Sequence, residues 1–180
     1  MATRLRHLPN VITVARIALV PLFVVLAYGG TRSSAVLAFI VFFVASVSDL
    51  LDGYLARRQG TVSRAGEWLD PLADKLLVGA ALWVLVDTRA FPLWAALLIA
   101  LREVAVQILR ARIVNAGGRL PASPAAKAKT VLQIAMVSVW LLPIGVGPVH
   151  WILLGAGLIA TYWSGAAYFT RARSPLSSVP

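Results

Sequence analysis

Residues 48–75 read SDLLDGYLARRQGTVSRAGEWLDPLADK. The whole chain holds seven Asp and Glu residues, and Asp49, Asp52, Glu67, Asp70 and Asp74 all fall in this stretch. Strongly apolar sequence flanks it on both sides. A carboxylate bordered by membrane-type sequence is costly to keep, so a cluster of them at regular spacing marks function rather than packing.

The apolar background sets the class. Of 180 residues, 59% are hydrophobic and 13% charged, and the mean hydropathy is +0.82. An ordinary soluble domain carries about 25% charged residues. A water-soluble globule of this size could not hide so much apolar surface, which predicts an integral membrane protein. The length predicts one domain over residues 1–180. There is no cysteine, which excludes disulfides and thiolate metal sites. The net charge of +10 could serve nucleic acid. The basic residues lie in short loops between apolar runs, however, so membrane lipid headgroups or phosphorylated substrates are the expected partners, and nucleic acid is not.

The fold class predicted is all-α, a polytopic membrane protein with six transmembrane helices over about residues 11–28, 34–55, 66–86, 92–113, 125–142 and 149–169. Each run is near the ~20 residues that ~30 Å of hydrocarbon requires. Residues 1–7 form a short, basic, interfacial segment ahead of the first span. The Ser/Pro-rich tail from about residue 172 is expected to be disordered. A cleaved signal peptide is the alternative for the N-terminus. It lacks a clean small-residue cleavage site, and further spans follow.

Six spans put both termini on one side, and the basic residues say which. Arg4, Arg6, Arg57, Arg58, Arg64, Arg110, Arg112, Arg119, Lys127, Lys129, Arg171 and Arg173 fall on the side of the termini, against Arg32 and Arg89 opposite. The bias places both termini and the acidic stretch on the cytoplasmic side. Arg16, Lys75 and Arg102 remain within spans.

Asp49 and Asp52, at the end of the second predicted helix, are about 60° apart around its axis; Asp70 and Asp74, at the start of the third, are about 40° apart. A short loop joins the two helices as antiparallel neighbours, so the four carboxylates are expected to converge. Each pair of such charges at ~4 Å costs on the order of 1–4 kcal/mol at effective dielectric constants of 80 to 20. Protons or cations must offset this, and two divalent ions balance four carboxylates. An all-oxygen site without His or Cys suits Mg²⁺, Mn²⁺ or Ca²⁺ rather than zinc. Paired ions ~3.5–4 Å apart commonly grip phosphate oxygens during displacement at phosphorus. Gly53, Ala56 and Gly66 leave room for a ligand to come close, and Arg57 offers a planar fork to a diphosphate. The alternative is that these Asps cap helices or pair with Arg57, Arg58 and Lys75, but four acids on two facing helices exceed what capping needs.

Written as Asp49-x2-Asp52-Gly53-x2-Ala56-Arg57-x8-Gly66-x3-Asp70-x3-Asp74, the stretch resembles the signature of the CDP-alcohol phosphotransferases at all eight fixed positions. The segment 8–13 (LPNVIT) with Arg16, the segment 70–75 (DPLADK), Arg102-Glu103 and Lys127-x-Lys129-Thr130 resemble the bacterial phosphatidylglycerophosphate synthase branch. Ala126 stands where a glycine is expected.

The resemblance implies six transmembrane helices, a homodimer in the bacterial inner (cytoplasmic) membrane, a CDP-diacylglycerol donor and two divalent cations, Mg or Mn. It implies that Asp49, Asp52 and Asp70 bind metal. Asp74 would be the general base and a further ligand. Asp49, Asp52, Gly53, Ala56, Arg57 and Gly66 would hold the cytidine diphosphate. The acceptor it implies is sn-glycerol 3-phosphate, giving phosphatidylglycerol phosphate and CMP. The same family with phosphatidylglycerol (making cardiolipin), inositol phosphate or serine as acceptor is the nearest alternative. A divalent-cation transporter is the alternative of another class. It fits poorly with acids gathered at one end of two helices and with no visible inverted repeat.

An acceptor phosphate needs cations, and Lys75, Arg102, Arg110, Lys127 and Lys129 are the candidates. Each has a second reading. Arg102 adjoins Glu103 and could form a buried ion pair, Arg110 and Arg112 could snorkel, and Lys127 and Lys129 could hold lipid headgroups. Arg16 either lines the pocket or pairs with an Asp. The tryptophans and tyrosines read as interface-belt or lipid-facing residues. Gly155, Gly157 and Gly165 permit tight helix packing, including a dimer face.

Overall fold

The computed structural model describes the backbone of residues 8–59, 64–115 and 124–176, with side chains over 15–50, 73–113 and 124–170. Six α-helices and no strand occur among the described residues: α1 (Leu8–Ala27), α2 (Arg32–Gln59), α3 (Arg64–Thr88), α4 (Leu93–Asn115), α5 (Pro124–Leu141) and α6 (Pro148–Leu176). The number and order match the six apolar runs. The all-helical class therefore holds. By length and composition, Arg32–Leu50 of α2 and Pro148–Thr170 of α6 are long and apolar enough to cross a bilayer. The interfacial segment predicted at residues 1–7 lies outside the described residues.

Helix ends follow from local chemistry. Pro9 falls in the first turn of α1, where its missing N–H would have had no partner. Between α1 and α2, Gly30 adopts φ +69°, and a Cβ on Gly29 would come within 2.7 Å of Ser34 Cβ, so this turn needs its two glycines. The start of α2 is then capped reciprocally. Ser34 N donates to Thr31 Oγ1 at 3.0 Å, and Thr31 N donates to Ser34 Oγ at 3.1 Å. Ser34 takes the place that Glu or Gln usually holds in this arrangement. At α6, Pro148 opens the first turn, and the Gly147 N–H donates to His150 Nδ1 at 3.1 Å. His150 is thus used as a helix cap.

Two helices outrun their predicted spans. At 28 and 29 residues, α2 and α6 are each about 42–44 Å long, more than the ~30 Å of a hydrocarbon core. The extra length carries Arg57, Arg58, Arg171 and Arg173. Intrahelical hydrogen bonding continues past the end of the continuous apolar run, and hydropathy does not register it.

The backbone divides into two units, one spanning 1–90 with 140–144 and the other 91–139 with 145–180. In the first, α1 packs along both α2 and α3, while α2 and α3 touch directly over a shorter stretch. The buried face of α2 runs Ala35, Ala38, Phe42, Ala45 and Ser46, and that of α3 runs Ala73, Leu77, Ala81, Val84 and Leu85. Both follow the three- and four-residue spacing of a single helical stripe. Phe23 of α1 tilts against Phe42 at a centroid separation of 5.9 Å. Alanines elsewhere on these stripes let the backbones approach, as they do where association depends on close packing rather than on expelling water.

In the second unit α4 packs against α6. Ala95, Ile99 and Arg102 of α4 are buried, as are Leu154, Thr161, Ser164 and Tyr168 of α6. Gly157 lies close to Met136 of α5, and Gly165 lies close to Arg102. These two glycines of the last span are therefore engaged inside their own unit. The outward faces are apolar, with Trp83, Ile159 and Trp163 more than two-thirds exposed. This is what lipid-facing surface requires and what water-facing surface avoids.

Candidate active site

The stripe on α2 that begins at Ala35 continues, one turn beyond Ala45, to Asp49. Asp49 is 30% exposed and accepts an ion pair from Arg16 of α1 at 2.6 Å, the arginine side chain being 3% exposed. Two readings of Arg16 were open, and the structure selects pairing with an Asp. A buried guanidinium next to that carboxylate offsets one of the four negative charges the motif brings.

Asp74 lies on α3 beside the buried Ala73 and is half-buried, as is Lys75. Both are in the same unit as Asp49. Asp52, Gly53, Ala56, Arg57, Gly66 and Asp70 lie on α2 and α3, but their side chains lie outside the described residues. Among the described residues no group of three His, Cys, Asp or Glu side chains forms a metal cage. The donor set that is described, the half-buried carboxylates of Asp49 and Asp74, is oxygen-only. Oxygen donors of this kind are those that hard divalent cations favour.

The remaining cationic candidates belong to the second unit, and the structure sorts them. Arg110 and Lys127 are exposed. Arg102 and Lys129 are buried and are brought together by one acid: Arg102 NH1 lies 3.1 Å from Glu103 Oε1, and Lys129 Nζ lies 2.5 Å from the same oxygen. Arg102 NH2 also donates to Ser164 Oγ at 2.6 Å, and that hydroxyl donates to the Thr161 carbonyl at 3.0 Å. The ion pair that adjacency suggested for Arg102 is therefore present, with Lys129 as an added member.

Two buried polar residues of this unit were not foreseen. Ser164 holds Arg102 across 62 positions of chain, a separation that no local pattern encodes. Gln133 is buried one turn along α5 from Lys129. A polar residue four positions after a lysine on an otherwise apolar helix was its only signal.

Comparison with known proteins bears on this arrangement. The model of the CDP-alcohol phosphatidyltransferase family matches residues 6–163. The chain is similar to a probable phosphatidylglycerophosphate synthase of Mycobacterium tuberculosis (strain ATCC 25618 / H37Rv), at 35% identity over 98% of this chain and 86% of that one. It is also similar to the CDP-diacylglycerol--glycerol-3-phosphate 3-phosphatidyltransferase of Bacillus subtilis (strain 168), at 42% identity over 76% of this chain and 77% of that one. A protein of the same name from Rickettsia typhi (strain ATCC VR-144 / Wilmington) is 33% identical over 94% of this chain and 99% of its own length.

Proposed function

Because the chain belongs to the CDP-alcohol phosphatidyltransferase family, we propose that it transfers the phosphatidyl group of CDP-diacylglycerol to sn-glycerol 3-phosphate, yielding phosphatidylglycerol phosphate and CMP. One observation carries the reading furthest. All eight fixed positions of the acidic motif are met in a chain whose relatives over 76% to 94% of its length include two proteins named for this reaction.

Asp49, Asp52, Asp70 and Asp74 would hold two divalent cations, Mg or Mn. When bound, these supply positive charge to offset that of the diphosphate and of the departing CMP. The rest of the chemistry belongs to the chain. Arg16 lies against the Asp49 carboxylate and offsets its charge. Gly53, Ala56 and Gly66 leave space for the cytidine diphosphate, and Arg57 hydrogen-bonds it. Asp74 takes the proton from the primary hydroxyl of the acceptor, whose oxygen then attacks the phosphorus bearing diacylglycerol as the bond to CMP breaks. Lys75, Arg102, Arg110, Lys127 and Lys129 are the side chains available to the acceptor phosphate. The setting proposed is a six-span homodimer in the bacterial inner membrane, with termini and site on the cytoplasmic side.

The test is direct. Purified protein is incubated with CDP-diacylglycerol, Mg²⁺ and a panel of labelled alcohols: sn-glycerol 3-phosphate, phosphatidylglycerol, inositol phosphate and serine. CMP release with formation of phosphatidylglycerol phosphate is expected for the first alone. Another alcohol as the preferred substrate would overturn the acceptor assignment. CMP release with none would overturn the reaction.

A further inference from the structure

The buried polar cluster of the second unit carries more charge than its own members balance. Arg102 and Lys129 are each about nine-tenths buried, and the acid they share is Glu103, whose side chain is 19% exposed. Among the described residues, two cations on one carboxylate leave a net positive charge away from water. Buried charge of one sign is expensive unless something offsets it. The hydrogen-bonding inventory points the same way. Among the described residues, Arg102 Nε and Gln133 Nε2 are buried N–H donors with no acceptor, and buried donors rarely stay unmatched. Gln133 is on the face of α5 that carries Lys129, one turn away. Excess positive charge with spare donors is the complement of an anion that has more oxygens than a carboxylate does.

We propose that Arg102 and Lys129, with Gln133 one turn along α5 from Lys129, form a seat for a phosphate monoester, and that Glu103 is its built-in stand-in, the anion that yields one or both cations when the phosphate arrives. Resting on the reading of the acceptor as a phosphorylated alcohol, this assigns its phosphate to two of the five candidate cations and gives Glu103 a role that the acidic motif does not include. Lys129 is the partner that exchanges. Its ammonium is a compact charge on a flexible stem, whereas the Arg102 guanidinium is pinned at NH2 by Ser164. Arg102 therefore stays in place while Lys129 turns from carboxylate to phosphate. The stand-in also keeps the two cations from repelling each other when no acceptor is bound. A neutral alcohol offers nothing to displace Glu103, so the seat selects for phosphorylated acceptors.

The experiment is calorimetric titration of the purified, detergent-solubilised protein with inorganic phosphate, sn-glycerol 3-phosphate and glycerol. Binding of the first two and not of glycerol is expected. Lys129→Gln should weaken phosphate binding by about tenfold or more, the scale of losing a charge-assisted contact. Glu103→Gln should strengthen it by about tenfold, because it removes a competing anion. A purely structural Glu103 would instead weaken binding when altered. Should Glu103→Gln not fold, Glu103→Asp, which keeps the charge but draws it back from Lys129, should strengthen phosphate binding a few-fold. Phosphate affinity that is unchanged in Lys129→Gln, or reduced in the Glu103 variant that folds, overturns the proposal. A CMP-release assay on the same samples separates it from the reaction. Acceptor-dependent CMP release with the KM for sn-glycerol 3-phosphate unmoved in Lys129→Gln sinks the seat and leaves the reaction standing. Lys129-dependent phosphate binding without CMP release from any acceptor does the reverse.

Discussion

Arg16 on α1 and Asp49 on α2 meet at 2.6 Å, with the arginine side chain 3% exposed and the aspartate 30% exposed. The pair ties the first helix to the acidic motif. Removing one partner of a fully buried pair costs about 3–5 kcal/mol, because the other is left charged and unmatched. Asp49 retains solvent contact, so Arg16→Gln should cost less, about 1–3 kcal/mol. Thermal unfolding in detergent measures this. Adding Asp49→Asn to Arg16→Gln should cost less than the sum of the two single changes, since the stranded charge is then gone. Strict additivity would mean that the contact is incidental.

Chelation should stop CMP release altogether, and Mg²⁺ or Mn²⁺ should restore it where Zn²⁺ does not. The argument is the donor set: the motif supplies only carboxylate oxygens, which favour hard cations. Asp49→Asn, Asp52→Asn and Asp70→Asn should each raise the Mg²⁺ concentration needed for half-maximal rate. Full activity in the presence of a strong chelator would remove the metal from the proposal.

Asp74→Asn tests the base. The substitution keeps size and most hydrogen bonding but cannot accept a proton. Turnover should fall by about 10²–10⁴-fold, the usual worth of a positioned general base, while CDP-diacylglycerol still binds. A near-normal rate in the purified variant would move the proton transfer to another group.

The turn between α3 and α4 holds Ala90 at φ 52°. A left-handed backbone conformation costs a non-glycine residue about 1–2 kcal/mol. Ala90→Gly relieves that strain, partly offset by the greater freedom of glycine in the unfolded chain. A gain of about 0.5–1 kcal/mol is expected from thermal unfolding in detergent. Destabilisation would show that the alanine methyl is needed at this turn.

What the sequence made legible follows from what periodicity and composition encode. Six apolar runs mark six helices in the right order, two of them long and apolar enough to cross a bilayer, and turn residues such as Gly29 and Gly30 mark where they break. The acidic motif is legible because its spacing is local: Asp49 and Asp52 are three residues apart, Asp70 and Asp74 four. Tertiary pairing is another matter. Arg16 had several candidate acids, and only the packing of α1 along α2 selects Asp49. Ser164 reads as one small residue in an apolar span until α6 is laid against α4. The shared carboxylate of Glu103 was half visible, since Arg102 is its neighbour in sequence but Lys129 comes from a different helix. Helix ends at Gln59 and Leu176 were missed because hydropathy reports where lipid stops, whereas a helix goes on as long as its backbone hydrogen bonds do.

The glycines of α6 separate packing inside the unit from an exposed face. A Cβ on Gly165 would lie 3.3 Å from Arg102 Nε, whereas one on Gly155 meets nothing within 4 Å. The Arg102 guanidinium has little freedom to retreat, because Glu103 and Ser164 both hold it. Gly165→Ala should therefore destabilise by about 1–2 kcal/mol, as modest overpacking does, and should disturb the Arg102–Ser164 contact. Gly155→Ala should stay within about 0.5 kcal/mol of the parent, as open positions do. Thermal unfolding of both variants in detergent decides. Equal stability of the two would mean that α6 shifts freely against α4. A loss at Gly155 would instead reveal a neighbour packed on that face, as the proposed homodimer would supply, and chemical crosslinking of the same variant would then show fewer dimers.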